Sequence, residues 1–296
     1  MTAVDVAHAR ARHLQGIVLV MLSTIAWGSG GLFVRLLPFD MWTIVFWRGV
    51  FGSLFIGAYV LWRFGRATPR TIRRMGGAGI LTTLCSIATI TLFVPAFQHT
   101  SVANAMTIYA ALPFFTAAVA WVWLRERPSA RTMVASVIVM VGIAVMLGPG
   151  TGGPRLGDLL AAGATAAMAV LTVAIRRSHD VEMLPVACLA TLASALIALP
   201  LAEHLLDLTA RDYTVAAGFG LGPMTLGLML FVIGSAMIPA TLSALIGTME
   251  APIGALWAWV GVGEFPATAT FIGGAIVLAG VFGRLLLEQR AVAHAA

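Results

Sequence analysis

Residues 111–128 read ALPFFTAAVAWVWLRERP, and residues 250–266 read EAPIGALWAWVGVGEFP. Each stretch opens near a proline, passes through apolar residues and a tryptophan, and ends in a short polar loop with a glutamate and a second proline. Taken in order, Ala111-Leu112-Pro113, Trp121, Glu126, Pro128 and, further on, Gly142 recur as Glu250-Ala251-Pro252, Trp259, Glu264, Pro266 and Gly280, at offsets of 138 or 139 positions. Apolar segments rich in Ala, Gly and Leu look alike by composition alone. A matched proline, tryptophan, acid and glycine in one order is harder to dismiss and reads as an internal repeat.

Working outward, Gly16 and Arg35 bracket an early apolar run as Gly157 and Arg176 bracket a later one, both pairs offset by 141. Apolar runs bounded by Arg, Pro, Gly and acidic residues place spans near 14–34, 41–62, 75–97, 102–124 and 132–147, and again near 156–175, 183–201, 215–233, 238–260 and 268–287. Five spans per copy is an odd number, so the second copy must enter the membrane from the opposite side. The fold class expected is an all-α integral membrane protein. Its ten transmembrane helices form two inverted five-helix repeats around a central cavity, residues 1–150 and 151–296.

Composition points the same way. The 296 residues are 60% hydrophobic and 10% charged, with a mean hydropathy of +0.96, whereas a soluble domain is about 25% charged. At about 20 residues per span there is room for about ten helices and no sizeable soluble domain. The formal charge of +6 does not indicate nucleic acid, because there is no Lys and the Arg residues sit in short clusters between apolar runs. With a cytoplasmic N-terminus, the inner side collects Arg10, Arg12, Arg63, Arg66, Arg70, Arg73, Arg74, Arg125, Arg127, Arg131, Arg176, Arg177, Arg284 and Arg290; only Arg35, Arg155 and Arg211 fall outside. That asymmetry predicts ten spans with both termini in the cytoplasm, in a bacterial inner (plasma) membrane. Arg10, Arg12 and the apolar run after them could imitate a cleavable signal peptide, but the run continues through Leu32-Phe33-Val34, long enough to span. Cys85 and Cys188 fall inside apolar runs and read as buried thiols, without disulfide or metal spacing.

These residues resemble the drug/metabolite transporter superfamily, EamA type, whose two copies each end in a helix with a central proline, an aromatic-rich exit, a loop carrying glutamate and a helix with a late glycine. Trp27-Gly28-Ser29-Gly30-Gly31 is similar to the Trp-Gly-Ser opening common in that family, although the second copy has Met168 where the first has Trp27. Within the superfamily the chain most resembles the YddG-type exporters of amino acids. The resemblance implies a ten-helix bundle around a central cavity and secondary transport without ATP. It also implies export from the cytoplasm by alternating access, with aromatic and other neutral amino acids as preferred substrates.

Enzyme signatures are missing: there is no His-Glu-x-x-His, no Walker loop and no metal-spaced Cys pair. No catalytic residue, metal or cofactor is expected, and a membrane-embedded enzyme or assembly subunit stands as the alternative reading. Polar residues inside the spans carry the rest. Arg48, the eighth residue of its span, lies roughly 10 Å from the outer end at 1.5 Å per residue; it either snorkels, ties helices together, or meets a carboxylate. Glu250 lies mid-span, two residues before Pro252, where it either couples protons or pairs with a charge. The expected substrate site is the junction of the repeats, with Trp27, Asn104, Tyr109, Ser243 and Glu250 contributing, while hydroxyls such as that of Ser243 serve equally as helix-packing glue. Gly28, Gly30, Pro113 and Pro252 are the hinge or gating candidates. The partners expected are an amino-acid substrate and the lipid bilayer, with no nucleic acid; a monomer is the expected state, although the sequence leaves oligomerisation open.

Overall fold

A computed structural model describes residues 3–100, 102–147, 156–178 and 184–293, helical almost throughout and without strands among them. The first crossing segment is α1 (Ala3–Gly28) with α2 (Gly30–Leu36), and the second is α3 (Met41–Phe64). A short α4 (Thr68–Arg74) leads to the third, α5 (Gly76–His99). The fourth is α6 (Val102–Ala110) with α7 (Leu112–Leu124), and the fifth is α8 (Ala130–Leu147). The second half begins with α9 (Leu156–Arg177) and α10 (Leu184–Ala198). The eighth segment joins α11 (Ala210–Phe219), a π-helical stretch (Gly220–Gly227) and α12 (Leu228–Ser235). The ninth joins α13 (Ala240–Gly247) and α14 (Glu250–Val262), and the tenth is α15 (Thr268–Ala293). Among the described residues nine helices are long and apolar enough to cross a bilayer; the tenth crossing is the fourth segment, where a break at Ala111 leaves α7 as a 13-residue apolar piece.

The fourth and ninth segments break at matched places because Pro113 and Pro252 lack the N–H that would continue the helix. Around each break the backbone tightens to i→i−3 bonds: Ala111 N–H donates to Ile108 O at 3.0 Å, and Met249 N–H donates to Ile246 O at 3.0 Å. A third break falls at Ser29, whose N–H donates to Ala26 O at 3.2 Å. That tightening releases the carbonyl of Ile25, which accepts instead from Trp257 Nε1 at 3.0 Å. At membrane depth a freed carbonyl needs such a partner, and here it ties α1 to α14.

The helices of one half take their main partners from the other. α3 lies along α10, α8 along α15, α5 along α9, and α1 along α12 and the π-helical stretch. Exchanging the halves maps the first two pairs onto themselves and swaps the last two. The α8–α15 crossing shows the cause at residue level. A Cβ on Gly142 would meet Gly273 O at 2.8 Å and Val277 N at 2.9 Å, and a Cβ on Gly280 would meet Val139 Cγ2 at 3.0 Å. The late glycine of each half therefore lets the two backbones approach closely. Around the bundle, side chains such as Leu54, Val122 and Leu159 point outward, a continuous apolar surface suited to lipid.

Candidate functional site at the broken helices

Three of the expected residues share one situation: Arg48, Tyr109 and Glu250 lie deep among protein atoms yet keep free surface. Glu250 is the first residue of α14, at the break before Pro252. Its carboxylate forms no hydrogen bond or ion pair among the described residues. Tyr109, the penultimate residue of α6 beside the Ala111 break, lies within electrostatic reach of Glu250. Its hydroxyl is likewise unpartnered among the described residues, while its ring packs on Phe93 with centroids 5.4 Å apart. The breaks in the fourth and ninth segments thus bring an acid and a phenol together in mid-membrane.

Trp27 borders this region from α1. Its ring lies 4.8 Å from that of Phe231, and Gly227 makes room for it, since a Cβ there would meet Trp27 Cδ1 at 2.6 Å. The next residue, Gly28, abuts α14 one turn beyond Glu250: a Cβ on Gly28 would meet Ile253 Cγ2 at 2.7 Å. Gly30, the other glycine expected to flex, has only Phe219 nearby, 3.6 Å from a would-be Cβ.

Arg48 projects from α3 toward the π-helical stretch. Its Nη1 lies 3.5 Å from Met224 Sδ and its Cζ 5.7 Å from the Phe219 ring centroid. Its Nε is the buried side-chain donor or acceptor left without a partner among the described residues. A π-helical insertion re-aims the side chains around it, and here it sets a thioether and an aromatic face against the guanidinium instead of a carboxylate. Neither soft contact satisfies that donor.

The remaining candidates fall elsewhere. Ser243 is fully buried, and its hydroxyl is 2.6 Å from that of Ser235, tying α13 to α12. Asn104 is in α6, but its side chain lies outside the described residues. Pro113 and Pro252 are both buried at the starts of their half-helices.

Sequence reasoning did not pair the bracketing arginines with the loop glutamates. Arg35, at the end of the first segment, holds Glu264 through two contacts of 2.8 and 2.9 Å. Arg176, at the end of the sixth, faces Glu126 at 3.7 Å and also donates to Ala236 O at 2.9 Å. Arg35 and Arg176 are the residues offset by 141, and Glu126 and Glu264 those offset by 138. Each pair joins one half to the other. The signal was present in the repeat, but the pairing needs the fold.

A helical bundle of crossing segments, with broken helices and polar groups left unpartnered among the described residues, is that of a polytopic membrane protein. The comparisons narrow that class. The chain matches the EamA-like transporter family over residues 14–148 and again over 155–286, and it belongs to that family. An uncharacterized transporter of Archaeoglobus fulgidus is 25% identical over 265 residues, 88% of this chain and 93% of its own length. A crystal structure 18% identical in sequence superposes with a TM-score of 0.75, covering 96% of this chain and 99% of that one, a likeness of fold alone. Membership in a transporter family does not favour the enzyme alternative.

Proposed function

We propose that this transporter exports small metabolites, chiefly aromatic and other neutral amino acids, from the cytoplasm by alternating access between two inverted repeats. The observation that carries this reading is the pair of unpartnered groups, Tyr109 hydroxyl and Glu250 carboxylate, set at the broken helices of opposite halves. A charge at bilayer depth costs a few kcal/mol and persists where it lines a cavity or meets a ligand. An amino acid's ammonium suits Glu250, and the unpartnered hydroxyl of Tyr109 beside it can donate to the amino acid's carboxylate. Rings of Trp27, Phe93 and Tyr109, which keep partial exposure, offer an apolar, π-rich wall for an aromatic side chain. The resemblance to YddG-type exporters supports the same substrate class.

The repeat-related ion pairs supply the alternation. By the arginine asymmetry, Arg35–Glu264 lies at the outer face and Arg176–Glu126 at the inner face. Both glutamates and Arg35 are substantially exposed, and such pairs contribute about 0–1 kcal/mol. A weak latch suits a two-state carrier, because a coupling of about 1 kcal/mol shifts an equilibrium roughly fivefold without trapping either state. In this reading the outer pair parts when the carrier opens outward and the inner pair when it opens to the cytoplasm.

A substrate panel on purified protein in sealed liposomes tests this reading. Labelled phenylalanine, tryptophan and tyrosine should move faster than acidic amino acids and faster than in empty liposomes. Rates equal to those of empty liposomes for every amino acid would overturn the proposal.

A further inference from the structure

The short turn and helix after α3 carry a second concentration of charge, far from the broken helices. Arg66, Arg70, Arg73 and Arg74 line one open depression of about 640 Å³ together with Ala67 and Pro69. Arg70, Arg73 and Arg74, spaced i, i+3 and i+4, share one face of α4, and Arg66 joins them from the turn before it. All four are exposed, and none forms an ion pair or hydrogen bond among the described residues. The elements packed against α4 are α3, α5 and α10, and none of their sequences contains an Asp or Glu. Among the described residues, these four guanidiniums therefore converge without a protein counter-charge. Beside them the last turn of α3 presents Leu61 and Trp62, 60% and 81% exposed, to the membrane.

A topology signal needs arginines on one side of the membrane, but not four around a shared hollow. Guanidinium forks match phosphate oxygens bidentately. Trp prefers the level of lipid headgroups. The two features lie within one short stretch, so a molecule with a phosphate at one end and hydrocarbon at the other satisfies both. We propose that this depression is a binding site for the phosphate of an anionic phospholipid, its acyl chains lying along Leu61 and Trp62, on the face that the arginine distribution assigns to the cytoplasm.

Native mass spectrometry of the full chain, released from nanodiscs of equal phosphatidylglycerol and phosphatidylcholine, tests the proposal. The wild type should retain phosphatidylglycerol preferentially. Arg70→Gln/Arg73→Gln/Arg74→Gln should reduce that enrichment by roughly tenfold or more, whereas Arg70→Lys/Arg73→Lys/Arg74→Lys should keep most of it. Because these side chains are exposed, both variants should melt with the wild type in phosphatidylcholine alone, which separates lost binding from lost folding. Millimolar inorganic phosphate should leave the enrichment intact. Equal retention of the two lipids by the wild type, unchanged enrichment in the Gln variant, or displacement of the lipid by inorganic phosphate would each overturn the assignment.

Discussion

The proposed transport chemistry leans on Glu250 more than on any other single residue, because its carboxylate stands without a partner among the described residues at a helix break. If it binds and releases the coupling proton, Glu250→Gln should keep substrate exchange in liposomes but lose its response to an imposed pH gradient. Exchange whose gradient response survives the substitution assigns Glu250 a positioning role instead. A different carboxylate does conventional work outside the spans. Asp40 caps α3, accepting from Thr43 N–H at 2.9 Å and from the Thr43 hydroxyl, with His204 Nδ1 at 3.3 Å. Burial alone would raise its pKa, but the hydrogen bonds of Thr43, His204 and the Glu203 backbone outweigh that and hold it below 3.8. A depressed folded-state pKa gives stability that is present above the unfolded value and is lost as pH falls through the folded one. Asp40→Ala should therefore lower stability by about 1 kcal/mol near neutral pH, with the difference narrowing below about pH 4. Thermal melts in detergent across pH measure it, and a gap that does not narrow in acid refutes the cap's electrostatic part.

The elements were legible to different depths. Span positions followed from apolar runs, and the breaks in the fourth and ninth segments from Pro113 and Pro252, since a missing N–H is a property of the residue itself. The break at Ser29 falls between the hinge candidates Gly28 and Gly30, but the neighbour that stabilises it, Trp257 donating to Ile25 O, was not legible; the π-helical stretch was not singled out, although Pro223 within it lacks the N–H that a continuous α-helix needs. Ser243 shows the same limit, because its hydroxyl partner Ser235 lies on another helix. The two hinge glycines look equivalent in sequence and are not. Gly28→Ala forces a methyl against Ile253, whereas Gly30→Ala places it in ordinary contact with Phe219. The first should cost about 1–3 kcal/mol by overpacking and the second little, as melting temperatures of the two variants will show; equal losses would mean that neither position is set by the α1–α14 contact.

At the scale of the whole molecule, the arginine asymmetry and the exchange of helix partners between halves describe one carrier with two faces. Cys residues introduced at 63–74 should react only from the cytoplasmic side and those at 203–212 only from outside; labelling of both from one side contradicts the inverted topology. The ion pairs offer the sharpest test, because alternating access requires the outer ends of the first segment and the 9–10 loop to part in every cycle. Arg35→Cys/Glu264→Cys, built with Cys85 and Cys188 replaced by Ala, can be joined by a short cleavable thiol crosslinker and assayed for phenylalanine exchange in liposomes. Exchange should stop when the link forms and return when it is cleaved, with each single-Cys variant unaffected by the reagent. Exchange by the linked protein at the rate of the cleaved protein would show that the two halves do not separate there, and that substrate does not cross by alternating access.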